Sequence, residues 1–230
     1  MLIGVIPVRG GSRRLPGKNL KKLNGRSLLQ IVIERAIAAG IFDRIIVSTE
    51  DQSLAEEALK FGAEVPFMRP VELATDSSSS VDVLIHAVES ILNPQDFSSS
   101  VICLMQATSP LLRAEQIRAA YNAFVNGNYT SLSAMKEVSE YPEWMFRQGE
   151  RPDDAKALYP DLLEKPGSSF VKRYVENGAF YFVKADWLIK SRSLYDLKNH
   201  GKYLIGRRES LDIDTQDDWD LAEFYLQKNG

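Results

Sequence analysis

Cysteine and histidine are nearly absent from the 230-residue chain, which has one of the first and two of the second. The single thiol, Cys103, allows no internal disulfide, and it lies in the apolar run VICLMQ, where a free cysteine packs as a small hydrophobe. His86 and His200 are far apart and no CxxC occurs, which argues against a structural zinc site. No apolar run approaches the ~20 residues that span a bilayer. The opening MLIGVIPV lacks the basic flank and the length of a signal peptide, and reads as a buried strand. Surplus positive charge is missing too: 28 basic against 31 acidic residues leave a net charge of -3, too little to gather nucleic acid. A cytoplasmic protein with neither a nucleic-acid nor a membrane partner is expected.

The composition is that of an ordinary globular chain, 44% hydrophobic and 26% charged. Its length suits one domain over residues 1–230. The apolar period switches repeatedly along it. Strands are expected at 2–8, 44–49, 63–68, 101–106, 130–136 and 178–184, and helices at 27–39, 51–61, 81–92, 113–126, 185–191 and 216–228. Such alternation predicts an α/β fold, a Rossmann-like and mostly parallel sheet flanked by helices. The period fails over about 138–172, which carries Pro142, Pro152, Pro160 and Pro166 together with Trp144, Phe146 and Tyr159. Aromatics are rare in disordered segments, so this stretch is expected to be a protruding arm that packs on a second subunit.

The densest local signal is VIPVRGGSRRLPGKN, residues 5–19. A strand runs into Gly10–Gly11, and Arg9, Arg13, Arg14 and Lys18 crowd into ten positions without an acid among them. Glycines let backbone N–H groups approach an anion, Arg forks onto phosphate oxygens and Lys supplies a point charge. The spacing fits neither the P-loop, which needs four residues between its glycines, nor G-x-G-x-x-G. An ATP-dependent kinase is thereby disfavoured. A triphosphate whose leaving pyrophosphate gathers charge suits the loop.

A second signal is SLDIDTQDDW, where Asp212 and Asp214 alternate about Ile213 and would share a face in extended backbone. Paired carboxylates hold Mg²⁺ beside phosphates. The same run also reads as a helix start, with Asp214, Thr215 and Asp217 as caps and Asp218 in the first turn. Gln106 is polar and closes a strand, at the edge where open α/β sheets bind ligands.

The segments IPVRGGSRRLPGKN, FDRIIVSTED, RPVELATD, LMQATSPL, NGAFYF and SLDIDT, in this order, resemble the CMP-sialic acid synthetase family, the N-acylneuraminate cytidylyltransferases with their legionaminate and pseudaminate relatives. The resemblance runs from residue 2 to about 225. It implies the nucleotide-diphospho-sugar transferase type of fold, a homodimer, Mg²⁺, and a reaction in which CTP and a nonulosonic acid give the CMP-sugar and pyrophosphate. It places Arg9, Ser12, Arg13, Lys18 and Asn19 on the CTP-binding positions of the first loop, with Arg69 and Ser80 near base or ribose. Arg69 in a salt bridge with Glu72, and Ser80 as a plain helix cap, remain open. Arg14 has no fixed counterpart. Asp212 and Asp214 match the metal-binding D-x-D, so the catalytic set is Arg9, Lys18, Asp212 and Asp214; no general base is visible.

Gln106 falls on the sugar side. Lys136, Phe180 and Tyr181 are lesser candidates there, and the aromatics also read as core. Two departures stand out: Ala107 follows Gln106 where many relatives have proline, and Val175–Glu176 precede Asn177 where an arginine is common. The partner for the sugar's carboxylate moves to Lys172 or Arg173, and the sugar is expected to differ from plain N-acetylneuraminate. The rivals are another sugar nucleotidyltransferase, such as one acting on Kdo, and a non-catalytic nucleotide-binding scaffold.

Overall fold

The chain begins with a strand buried on both faces, β1 (Leu2–Pro7), in which Leu2 to Ile6 are all buried. Continuous burial of this kind belongs to a central parallel strand. The computed structural model, which describes residues 1–11 and 14–228, places β1 between two parallel neighbours, β4 (Arg44–Ser48) and β5 (Val101–Met105). Beyond β5 lies β9 (Tyr174–Lys184), antiparallel to β5 and to β6 (Ser131–Glu137), and β10 (His200–Leu204) closes the edge parallel to β6. The six-stranded order is β10-β6-β9-β5-β1-β4. Two short hairpin pairs stand apart, β2 (Lys22–Leu23) with β3 (Arg26–Ser27), and β7 (Phe146–Gln148) with β8 (Ala155–Ala157).

Helices cover both faces. On one side, α1 (Leu28–Ala39), α2 (Gln52–Lys60), α4 (Ala114–Asn126) and α6 (Gln216–Gln227) contribute to a core with Phe180, Phe182 and Trp219. On the other, α3 (Ser80–Ile91) and α5 (Ala185–Ser191) pack with Ile3, Val5 and Val183. Local chemistry sets the ends. Ser27 caps α1 by accepting from the Gln30 N–H, and Gly40 ends it at φ 64°. Thr215 caps α6, and Asp218 reciprocates in a capping box.

Three expectations are corrected. Residues 63–68 form no strand: Glu64 alone bridges Ile46, because Pro66 has no N–H to continue the ladder. The sixth strand begins at Tyr174 rather than 178, and bends at Gly178 (φ 78°), where the register with β6 shifts. β10 was not expected at all. It is an edge strand of mixed burial, fastened where His200 lies between Ser131 Oγ (2.7 Å) and Ser133 Oγ (3.0 Å).

The arm is ordered by aromatics. Tyr141, Trp144 and Phe170 cluster with centroids 5.4–5.8 Å apart, and Trp144 Nε1 donates to Lys165 O at 3.1 Å. Glu143, a buried residue of this stretch, pairs with Arg173, whose hydrogen bonds hold the carboxyl below the usual carboxylate range. Among the described residues no helix is long and apolar enough to cross a membrane.

Candidate active site

The parallel strands β1, β4 and β5 end on one edge; the ends of β1 and β5 open onto one hollow, and the end of β4 braces its glycine turn. β1 stops at Pro7, and Val8 N still bonds to Ser48 O at 3.1 Å. The chain then turns at Gly10, whose N–H donates to Glu50 Oε1 at 2.9 Å. A side chain at Gly10 would run into the Asp51 carboxylate, which is itself fixed as the N-cap of α2. The loop is pinned at its far end by Asn19, buried, whose Nδ2 donates to Arg9 O at 3.0 Å.

Arg69 lies beneath this turn, 5% exposed. Its guanidinium donates to Val8 O and to Glu50 Oε2, each at 2.7 Å. The expected alternative of a pair with Glu72 is therefore replaced by Glu50, which ties Arg69 and the glycine turn into one unit. A buried charge that loses its partner is costly, on the order of 3–5 kcal/mol. Glu50→Gln is thus expected to lower the melting temperature by roughly 10 °C at this chain length. A thermal melt unchanged within 2 °C or so would show that the pair holds nothing.

The cations of the loop meet acids from distant segments. Arg9 pairs with Asp76 at 2.6 Å, Arg14 with Asp214 at 2.9 Å, and Lys18 Nζ reaches Asp214 Oδ1 at 3.1 Å and Ile213 O at 2.8 Å. Arg14, without a role in the sequence reading, acquires one here. Around these groups is a cavity of about 400 Å³, whose walls include Arg9, Lys18, Asn19, Arg69, Ser80 and Gln106. Ser79, not Ser80, caps α3 by accepting from the Val81 N–H, which leaves the Ser80 hydroxyl at the cavity. Ser12 and Arg13 lie outside the described residues.

The acid pair is built as the alternation predicts. Ile213 is fully buried, and its N–H donates to Thr108 O at 2.8 Å, which holds the segment against the loop after β5. Asp214 faces the cations, while capping of α6 falls to Thr215 and Asp218. Asp212 sits deeper. Burial pushes its carboxyl up from the ordinary value, Asp214 adds to this, and a hydrogen bond from Thr108 opposes it. Its Oδ1 is buried with no hydrogen-bond partner among the described residues.

A second cavity of about 610 Å³ adjoins the first at Gln106. Lys136, Glu176, Arg207, Asp212 and Asp214 line it. Here the expected sugar set changes. Lys172 pairs with Glu137 at 3.3 Å and Arg173 with Glu143, so both belong to the arm's own ion pairs and neither lines the cavity. Phe180 is fully buried and meets Phe182 edge-to-face at 5.7 Å, because even-numbered residues past Gly178 point to the α1/α4 side of the sheet. Tyr181 points the other way and is also buried; its hydroxyl meets Glu176 Oε2 at 3.4 Å, beside Tyr195 at 2.6 Å. Burial pushes Tyr181 up to about 12, so it stays a neutral donor. Both aromatics support the wall from behind. Sequence reasoning assigned no role to Glu50, Asp76, Glu176 or Arg207: Glu50 and Asp76 lie within the segments FDRIIVSTED and RPVELATD, Glu176 was marked only as a departure, and Arg207 lies in no motif.

The family model described as Cytidylyltransferase matches residues 3–160. A pseudaminic acid cytidylyltransferase of Campylobacter jejuni is 34% identical over 98% of this chain and 96% of its own length. A CMP-N,N'-diacetyllegionaminic acid synthase of Legionella pneumophila is 33% identical over 99% and 97%. An N-acylneuraminate cytidylyltransferase of Streptococcus agalactiae is 28% identical over 94% of this chain and 51% of its own. A solved CMP:2-keto-3-deoxy-manno-octonic acid synthetase complexed with CTP shares the fold, with a TM-score of 0.72 at 18% identity over 100% of this chain and 99% of that one. With a glycine loop whose lysine is bonded to Asp214, and matched over its length by such enzymes, the chain belongs to the cytidylyltransferase family.

Proposed function

We propose that this chain transfers CMP from CTP to the anomeric hydroxyl of a nonulosonic acid, with release of pyrophosphate. One observation carries the reading. Lys18 is bonded to both Ile213 O and Asp214, which brings the cationic loop and the acid pair to the boundary between two cavities. The first cavity takes the nucleotide and the second the sugar, so the α-phosphate lies where they meet.

The sugar's anomeric hydroxyl oxygen attacks the α-phosphorus and gives up its proton to solvent, a new P–O bond forms, and the bond to the β-phosphate breaks so that pyrophosphate leaves. Charge then collects on the departing pyrophosphate. Arg9 and Lys18 neutralise it, the kind of stabilisation that grows toward the transition state. In this structure these cations pair with Asp76 and Asp214. The phosphates replace those acids and leave Asp214 available beside Asp212. A divalent ion fits there: Asp212 offers a buried, unpartnered oxygen, and Mg²⁺ takes one or two carboxylates together with phosphate oxygens and water. When bound, Mg²⁺ withdraws negative charge from the phosphates.

On the sugar side, the side chains of Lys136 and Arg207 line the second cavity, make no hydrogen bond or ion pair among the described residues, and act on Glu140 only at a distance. They take over the carboxylate role expected of Lys172 and Arg173. Glu176, steadied by Tyr195, accepts from an amide N–H, which suits an acylamino substituent. The relatives at 33–34% identity are named for legionaminic and pseudaminic acids, and these sugar classes stand first. Arg207→Ala is expected to raise the KM for the sugar about tenfold or more, the effect of one charged hydrogen bond, with the KM for CTP unchanged. Lys172→Ala should alter neither. The reverse pattern would return the role to the arm.

The arm exposes Phe146, Leu158, Tyr159 and Val171, an apolar set that a second copy would cover in a homodimer. Sedimentation at micromolar concentration should give twice the 25.9 kDa chain mass; a monomer would refute this. The setting is taken as cytoplasmic, in keeping with the free, buried Cys103. The reaction is tested by pyrophosphate release with CTP, Mg²⁺ and pseudaminate, legionaminate, N-acetylneuraminate or Kdo, repeated with UTP. Turnover is expected with CTP and the first two sugars. Preference for Kdo, or none for CTP over UTP, would overturn the proposal.

A further inference from the structure

A third cavity, of about 650 Å³, shares no lining residue with the first two, although its Arg208 lies against Tyr225 of the second. Four arginines from four parts of the chain stand on its walls: Arg26 of β3, Arg35 of α1, Arg113 at the start of α4 and Arg208 after β10. Two carboxylates, Glu115 and Glu209, share the walls, which leaves a surplus of two positive charges. The remainder of the lining is the amide of Asn24 and the apolar Pro110, Leu111 and Leu226.

The arginines are unevenly satisfied. Arg26 donates to Glu34 at 2.9 Å. Arg208 lies over the Tyr225 ring at 4.9 Å and bonds its carbonyl. Arg113 approaches Glu209 only to 3.8 Å, too far for a hydrogen bond. Arg35 is half-buried, and its Nε is buried and donates to no acceptor among the described residues. A buried donor without an acceptor is costly and calls for a partner. Guanidinium groups converging from separate elements suit an acceptor with several oxygens, and a dianionic phosphate matches their forks.

We infer that this cavity is a binding site for a phosphate group, with Arg35 and Arg113 as its principal donors. The inference goes beyond the proposed transfer reaction and does not depend on which sugar is used.

The test is a thermal melt of the full chain titrated with inorganic phosphate, glycerol phosphate or citrate. It is run on the native chain and on Arg35→Gln, Arg113→Ala and Lys18→Ala. Arg113 is exposed, so its variant folds even if Arg35→Gln is weakened. Phosphate at a hundred times its dissociation constant should raise the native melting temperature by roughly 5 °C or more. Arg35→Gln and Arg113→Ala should each weaken phosphate about tenfold, while Lys18→Ala, in the first cavity, keeps the Arg35-dependent rise. A larger effect of glycerol phosphate would identify a phosphate ester as the source, and of inorganic phosphate the free ion; either supports the site. No rise in the native chain, equal rises in both arginine variants, or a citrate effect through these residues equal to that of phosphate would overturn it.

Discussion

Asp212→Asn is expected to lower turnover by about 10²–10³-fold, the scale of several kcal/mol of charge stabilisation at a phosphoryl centre, and to leave the fold intact. The amide has the carboxylate's shape, so Ile213 keeps its bond to Thr108 and the segment stays in place. What the variant loses is an anionic oxygen where Oδ1 has no partner among the described residues. A purely structural role predicts the opposite pairing, a lower melting temperature with turnover preserved. Full turnover by Asp212→Asn at limiting Mg²⁺ would remove this residue from the chemistry.

Lys18→Ala should produce a different signature. Lys18 is mostly buried and joins the amino-terminal loop to the acid pair across 196 positions of sequence. Charge grows on the phosphates during transfer, so its ammonium contributes more to the transition state than to the bound ground state. The expected result is a fall in kcat of about 10²-fold with CTP affinity weakened less than tenfold. Arginine at this position is not expected to restore the rate fully, because its planar fork cannot replace a compact point charge bonded to Ile213 O. Poorer CTP binding at an unchanged kcat would mean that Lys18 only holds the nucleotide.

The parts of this molecule that were legible in sequence share a local cause. Helices α1, α3 and α4 follow from the spacing of their apolar residues, and β1 from an unbroken apolar run before paired glycines. Asp212 and Asp214 were legible because strand alternation about a buried Ile213 dictates their direction. What was hidden depends on tertiary placement. β10 is five residues of an edge strand with Lys202 exposed, too short and too mixed to show a period. The first half of β9 is concealed by polar Glu176 and Asn177 and by the bend at Gly178. Lys172 and Arg173 looked like carboxylate partners because they stand close to Asn177 in sequence, yet Glu137 and Glu143 claim them. Asp76, Glu50 and Arg207 are ordinary charged residues until folding sets them around the loop and the second cavity.

A crystal of the chain grown with CTP and Mn²⁺, measured at the manganese absorption edge, addresses the joint role of loop and acid pair most directly. The expected map has one anomalous peak beside Asp212 and Asp214, with the triphosphate between that peak and Lys18. Nucleotide bound elsewhere, or a metal peak remote from both aspartates, would contradict it.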